Sequence, residues 1–178
     1  MDIGGSNGFT NNQSDRAEAA GALAEHVLSN LANGEDITLI GHSHGGNVAI
    51  QAIDLIQAGL DEANDDRSIN LITIATPAYN GESDPENPAN TSVDSHTHFF
   101  SEFDQVQTTL ANAVGSKNAK RTYSNGLTNN IKVNDQAKSN TYKPYNPYTN
   151  QLPSLKKGKY GPVSSHSIHQ RPELLKKN

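Results

Sequence analysis

A chain of 178 residues is long enough for one domain with a core of its own, without disulfide or metal staples. Only 33% of its residues are hydrophobic and 6% aromatic, so the core is expected to be compact and the loops long and polar. A formal net charge of -5 argues against a nucleic-acid groove, and the lack of cysteine excludes disulfides and thiolate metal sites.

The opening Met1-Asp2-Ile3-Gly4-Gly5-Ser6 has neither the positive start nor the apolar stretch of a signal peptide. No segment approaches the roughly 18 apolar residues of a membrane span, so a soluble chain is expected. Ala20, Leu23, Ala24, Val27, Leu28 and Leu31 then recur at three- and four-residue spacing, with Asn33-Gly34 as a stop signal. That spacing predicts an amphipathic helix over about residues 14–32, with His26 on its polar side.

Ile37, Leu39 and Ile40 make a short strand that runs into Gly41-His42-Ser43-His44-Gly45, a Gly-x-Ser-x-Gly pentapeptide. Val48, Ala49, Ala52, Ile53, Ile56 and Leu60 follow at helical spacing. This strand, turn and helix is the sequence form of a nucleophile elbow, which predicts a strained Ser43 with an exposed hydroxyl. Gly41 and Gly45 are expected to supply room where a side chain would collide across the turn, and Gly46 to let the helix approach the sheet. The bland alternative is an ordinary turn in which Ser43 caps the helix.

Asn70 to Thr76 reads as a second buried strand closed by Pro77, which makes a strand-helix-strand unit. The predicted class is therefore α/β, with a mostly parallel sheet and crossover helices. Asn80 to Asn90 is an aperiodic loop. Thr97 to Phe103 is a third strand candidate ending at Asp104, and Val106, Leu110 and Val114 suggest a short helix ending at Gly115. Arg121 to Val133 reads as a hairpin or strand pair turning at Asn125-Gly126, with Ile131 and Val133 inward. Residues 134–162 carry Tyr142, Tyr145, Tyr148 and Tyr160 but too few aliphatics for a core, and read as a long polar loop within a single domain spanning 1–178.

A serine hydroxyl is a poor nucleophile until a base takes its proton. An elbow-type sheet supplies its partners from later loops, in the order serine, acid, histidine. Asp104 follows a strand and is the candidate acid, the alternative being that it caps the helix after it. Asp94 precedes the strand and falls at the wrong edge, while Asp84 and Glu86 lie in an earlier loop. His166 is the candidate base, with His169 its rival. His44 would give the first oxyanion donor through its backbone N–H. His42 and His44 flank the serine and point elsewhere. His96 and His98 share one strand face, but two histidines fall short of the three or four ligands a zinc site takes.

The run from Gly41 to Ala49, the Ala-rich helix before it, Ala75-Thr76-Pro77, Ser101 to Gln107 and the final His166-Ser167 together resemble the lipase-like branch of the α/β-hydrolases. Ser14 to Ala20 also resembles the helix start of lipase-like domains fused to bacterial Rhs-type and other polymorphic-toxin proteins. The resemblance covers roughly residues 14 to 114 and the last dozen or so. It implies Ser43 as nucleophile, Asp104 as acid and His166 as base, an ester or lipid as substrate, and no cofactor. For a toxin-like module it implies an immunity protein as partner and secretion as an effector.

The departure is at the front, where the family has further strands and the loop that gives a second oxyanion donor. An N-terminally shortened sheet is expected, with Gly4, Gly5 or Ser6 as the local candidates for that donor. An open sheet edge, completed by a parent chain, a partner polypeptide or a second copy, goes with it. The expectation is thus a serine esterase or lipase. The contrasting class is a catalytically weak or silent hydrolase-like module that binds a protein partner.

Overall fold

The computed structural model describes residues 12–32, 34–102, 104, 106–111 and 118–133. The readings placed on Gly4 to Ser6, on 134–162, and on His166 and His169 lie outside the described residues.

Helix α1 spans Gln13–Ser29 and opens on a capping box: the Asn12 side chain accepts from the Asp15 N–H, and the Asp15 carboxylate accepts from the Asn12 N–H. The helix begins about where its periodicity predicts, but it stops at Ser29, before the Asn33-Gly34 signal, with Asn30 as its C-cap. Strand β1 (Ile37–His42), helix α2 (His44–Ala63) and strand β2 (Ile69–Ile74) form a parallel strand-helix-strand unit. Strands β3 (Ser95–Phe100) and β4 (Thr128–Lys132) add to it, giving, among the described residues, a four-stranded, all-parallel sheet in the order β1-β2-β3-β4.

The register places Ile37, Leu39 and Gly41 beside Ile69, Leu71 and Thr73, and these beside His96 and His98. Period-2 alternation puts this set on one face, and every member is buried. Helix α2 lies against β1 and β2, with Ile50, Ile53 and Ile56 at 0% exposure. Each such side chain withdraws about 1.5–3 kcal/mol of apolar surface from water. Helix α1 packs in turn on α2. The contact is so close at Gly59 that a methyl there would meet Leu28 Cδ1 at 2.5 Å.

Three expectations need correction. Among the described residues only the first crossover is an extended helix; from β2 to β3 the chain runs through a loop with one short 3-10 turn, Pro88–Asn90. Side-chain amides fix that loop, since Asn87 and Asn90 both donate to the Gly81 carbonyl, at 3.0 and 3.1 Å. Strand β3 begins two residues earlier than its aromatic run suggests and ends at Phe100. Arg121 to Val133 is not a hairpin, because its one strand pairs with β3, parallel. Asn125 accepts from the Thr128 N–H at 2.8 Å and turns the chain into β4 without a partner strand. The Asn130 side chain takes the place of that partner by bonding both the N–H and the carbonyl of Tyr123.

Glu86, a rival for the acid, is engaged elsewhere. Both its carboxylate oxygens bond Arg16, at 2.6 and 3.0 Å, with Gln51 on the first at 2.7 Å, and the two charged side chains are 1–2% exposed. Burial pushes the Glu86 pKa up and the Arg16 bond offsets part of that. The pair straps the β2–β3 loop to α1, and removing one partner from such a pair costs about 3–5 kcal/mol. Asp84 is likewise tied to its own loop, by the Glu86 N–H at 2.9 Å.

Candidate active site

All four strands run the same way, so their carboxyl ends share one edge of the sheet. On that edge lie Ser43 after β1, Thr76 and Pro77 after β2, and Asp104 after β3. Asp94 sits at the opposite edge, where its carboxylate accepts from the Ile69 N–H at 2.7 Å.

Ser43 joins β1 to α2 with no intervening residue and holds φ 54°, ψ -136°. This backbone conformation is disfavoured for a residue with a Cβ and costs about 1–3 kcal/mol. Its N–H still donates across the sheet to the Ile74 carbonyl at 2.9 Å, which pins the residue in place. Although Ser43 occupies the N-cap position, its side chain makes no cap hydrogen bond, against the capping alternative. A Cβ on Gly41 would stand 2.4 Å from the Gly46 Cα, so the turn closes only with glycine there. The second glycine the turn requires is Gly46, not Gly45. A Cβ on Gly46 would meet Thr76 Oγ1 at 2.1 Å, whereas one on Gly45 meets no described atom within 4 Å.

His44 is the first residue of α2, at the positive end of the helix dipole, where a backbone N–H suits a developing oxyanion. Its ring nitrogen Nδ1 lies 3.2 Å from Asn47 Oδ1. Since that oxygen only accepts, Nδ1 carries the proton. Asn47 Nδ2 donates to the Pro77 carbonyl at 3.0 Å.

Asp104 is fully buried, and its Oδ1 accepts from the N–H groups of Val106 and Gln107, at 2.9 and 3.2 Å. The residue therefore does open the turn that follows, a π-helical Val106–Leu110. Capping and a catalytic role are compatible, because a carboxylate has several acceptor positions. Arg121 Nε donates to the Asp104 carbonyl at 2.8 Å and holds the loop from the other side.

Behind this edge His96 and His98 form a buried chain with two threonines. The Arg121 carbonyl can only accept, so His98 Nε2, at 2.8 Å, is the protonated nitrogen and Nδ1 the acceptor. Thr73 then donates to His98 Nδ1 at 2.7 Å and accepts from His96 Nε2 at 2.8 Å. Thr128 closes the chain by donating to His96 Nδ1 at 2.8 Å. Both rings are neutral in this arrangement, and Tyr123 meets each edge-on. Burial lowers the His96 pKa to about 3, with the neighbouring His98 adding to it, and burial lowers His98 to about 4 against the Arg121 bond and the Asp104 charge.

The unfolded chain binds these two protons near pH 6.5 and the folded chain does not. Stability from this source is therefore complete above pH 6.5 and falls as pH drops toward 4, by about 1.4 kcal/mol per unit for each ring. Urea titrations at pH 7, 6 and 5 are expected to show that loss, and His98→Asn to show a shallower one. Equal slopes in the two proteins would contradict a neutral buried chain. Among the described residues no group of three or more His, Asp or Glu side chains is placed to hold a metal ion.

The sequence reading gives Asn47, Gln107 and Arg121 no role of their own: the first two enter only within the runs that carry the resemblance, the third only as the start of a hairpin. Asn47 offered one signal, a polar residue where α2 turns its buried side to the sheet; nothing in spacing or composition marks the other two. No described helix is long and apolar enough to cross a membrane. Among the described residues β1 has β2 as its single strand neighbour, with no described strand on its other edge. The fold is α/β, with helices flanking a parallel sheet. No family model, curated protein or solved structure compared with the chain matches it.

Proposed function

We propose that the chain is a serine hydrolase of the α/β-hydrolase type that cleaves carboxylic esters, lipid or lipid-like, through an acyl-enzyme on Ser43. The observation that carries this reading is the Ser43 backbone, φ 54° and ψ -136°, at a strand-to-helix turn closed by Gly41 and Gly46. A costly conformation at the strand-to-helix turn supports the reading of Ser43 as a residue held for its chemistry.

In this reading Ser43 Oγ bonds the acyl carbon as His166 takes its proton, and the charge on the carbonyl oxygen falls at the N-terminus of α2, toward the His44 N–H. His166 then gives the proton to the leaving alcohol, the ester bond breaks, and the same histidine activates water to release the acid. Asp104 orients the imidazole and stabilises its protonated form. Strand β4 ends at the same edge as Ser43.

Hydrolysis of a short-chain chromogenic ester by the full chain tests this. His166→Ala is expected to lose turnover on the order of 10⁴-fold while His169→Ala keeps it; the reverse pattern moves the base to His169, and full activity in both variants ends the triad reading. The edge of β1 without a described strand neighbour favours a second reading, a module that pairs with a parent chain or another polypeptide, an immunity protein included. Inactivity of a well-folded chain toward esters supports that one.

A further inference from the structure

Two consecutive carbonyls, Thr76 and Pro77, leave β2 at the catalytic edge, and each is taken by a different buried side-chain amide. Gln107 Nε2 donates to the Thr76 carbonyl at 2.6 Å, from the turn that Asp104 opens. Asn47 Nδ2 donates to the Pro77 carbonyl at 3.0 Å, from the first turns of the helix that Ser43 begins. Both amides are at 0% exposure. Proline has no N–H, so the Thr76–Pro77 peptide itself offers neighbours only an acceptor, and a donor must be brought to it from elsewhere in the fold.

We propose that Gln107 and Asn47 are positioning residues that bracket the Thr76–Pro77 peptide and so fix the candidate acid Asp104 relative to the Ser43 elbow. This rests on the esterase reading above. Each arm continues to the chemistry through one further bond. On one side the Gln107 N–H donates to Asp104 Oδ1 at 3.2 Å, so one residue grips both the carboxylate and the bend. On the other, Asn47 Oδ1 accepts from His44 Nδ1 at 3.2 Å, beside the serine. Thr76 adds a steric stop, since it fills the space over Gly46 that any side chain would need.

No strand carries Asp104. Three residues separate it from the end of β3, and its own loop holds it through the Arg121 bond to its carbonyl, the cap bonds of its turn and its N–H on the Ser101 carbonyl at 3.3 Å, to which the bracket adds a tie to β2. An amide is the required group at both positions. A carboxylate at 107 would face the Thr76 carbonyl with oxygen against oxygen, and a hydroxyl at 47 would not span to both Pro77 and His44.

The test is Gln107→Met in the full chain, which keeps the length of the side chain and removes its donor. Rates are measured per folded molecule with a short-chain ester, and kcat/KM is followed across pH. A misplacement of about 1 Å costs up to roughly 100-fold in rate. We therefore expect kcat to fall about 10- to 100-fold with KM within about threefold, and the acid limb of the profile to move to lower pH as the base loses its aligned carboxylate. An unchanged kcat and an unmoved limb, in a chain whose wild type shows Ser43-dependent turnover, overturn the bracket alone. A wild type without such turnover overturns the esterase reading and the bracket with it. Should Gln107→Met not fold, Asn47→Met carries the same expectation from the other arm, with the same two outcomes.

Discussion

Replacing Ser43 with glycine is expected to remove ester turnover by at least about 10⁴-fold and, at the same time, to make the protein more stable. The two effects have separate causes. Loss of Oγ removes the proposed nucleophile. Loss of Cβ relieves the strain of φ 54°, ψ -136°, which is of order 1–3 kcal/mol, while the added freedom of glycine in the unfolded chain takes back roughly 0.5–1. The net gain is about 0.5–2 kcal/mol, readable by urea titration beside Ser43→Ala, which lacks Oγ but keeps the strained Cβ. An inactive glycine variant less stable than the alanine one would mean that the turn is not strained. An active one would move the nucleophile elsewhere.

Asp104→Asn separates the cap that the structure shows from the acid role proposed for it. Asparagine is nearly isosteric, and its side-chain oxygen can keep the bonds from the Val106 and Gln107 N–H groups, so the turn remains capped. The negative charge is gone, however, and the amide nitrogen would present a donor where an imidazole N–H requires an acceptor. In a comparable triad the same change lowers kcat about 10⁴-fold. The expected result is a well-folded protein, within about 1 kcal/mol of wild type, that hydrolyses esters at a ten-thousandth of its rate. Full activity in this variant would reduce Asp104 to a cap. Glu86, already bonded through both oxygens to Arg16, and Asp94, at the far edge, would not take its place.

The elements that bury an apolar face were legible from spacing. Ala20, Ala24, Ile53, Ile56 and Leu60 repeat at helical intervals because α1 and α2 each offer one side to the core, and β1 and β2 alternate because only one face of the sheet meets those helices. The elbow was legible for a related reason, since strain and close approach restrict the residue types at Gly41 and Gly46. Gly45 was misassigned because the pentapeptide pattern weights its two outer glycines equally, whereas the close approach falls one residue later, where Thr76 packs.

What hydrogen bonds decide was not legible. Arg121 to Val133 has the composition of a hairpin, yet Asn125 and Asn130 use side-chain amides where a hairpin would use a second strand, and the pairing goes to β3. His96 and His98 look polar enough for a surface strand. They are buried because Thr73, Thr128 and the Arg121 carbonyl satisfy every ring nitrogen, a condition met only in three dimensions. The bracket at Thr76 and Pro77 is of the same kind, as Asn47 and Gln107 lie 60 positions apart by number and meet only through a third segment.

The most direct test of a reactive Ser43 is covalent labelling of the full chain with a serine-directed phosphonate ester, located by peptide mass mapping. A serine activated in an elbow is expected to take one phosphonyl group at Ser43, in the wild type but not in Ser43→Ala, and far more slowly in Asp104→Asn. A well-folded wild type that remains unlabelled, or one labelled at another residue, would contradict the hydrolase reading and leave the elbow as the frame of a binding module.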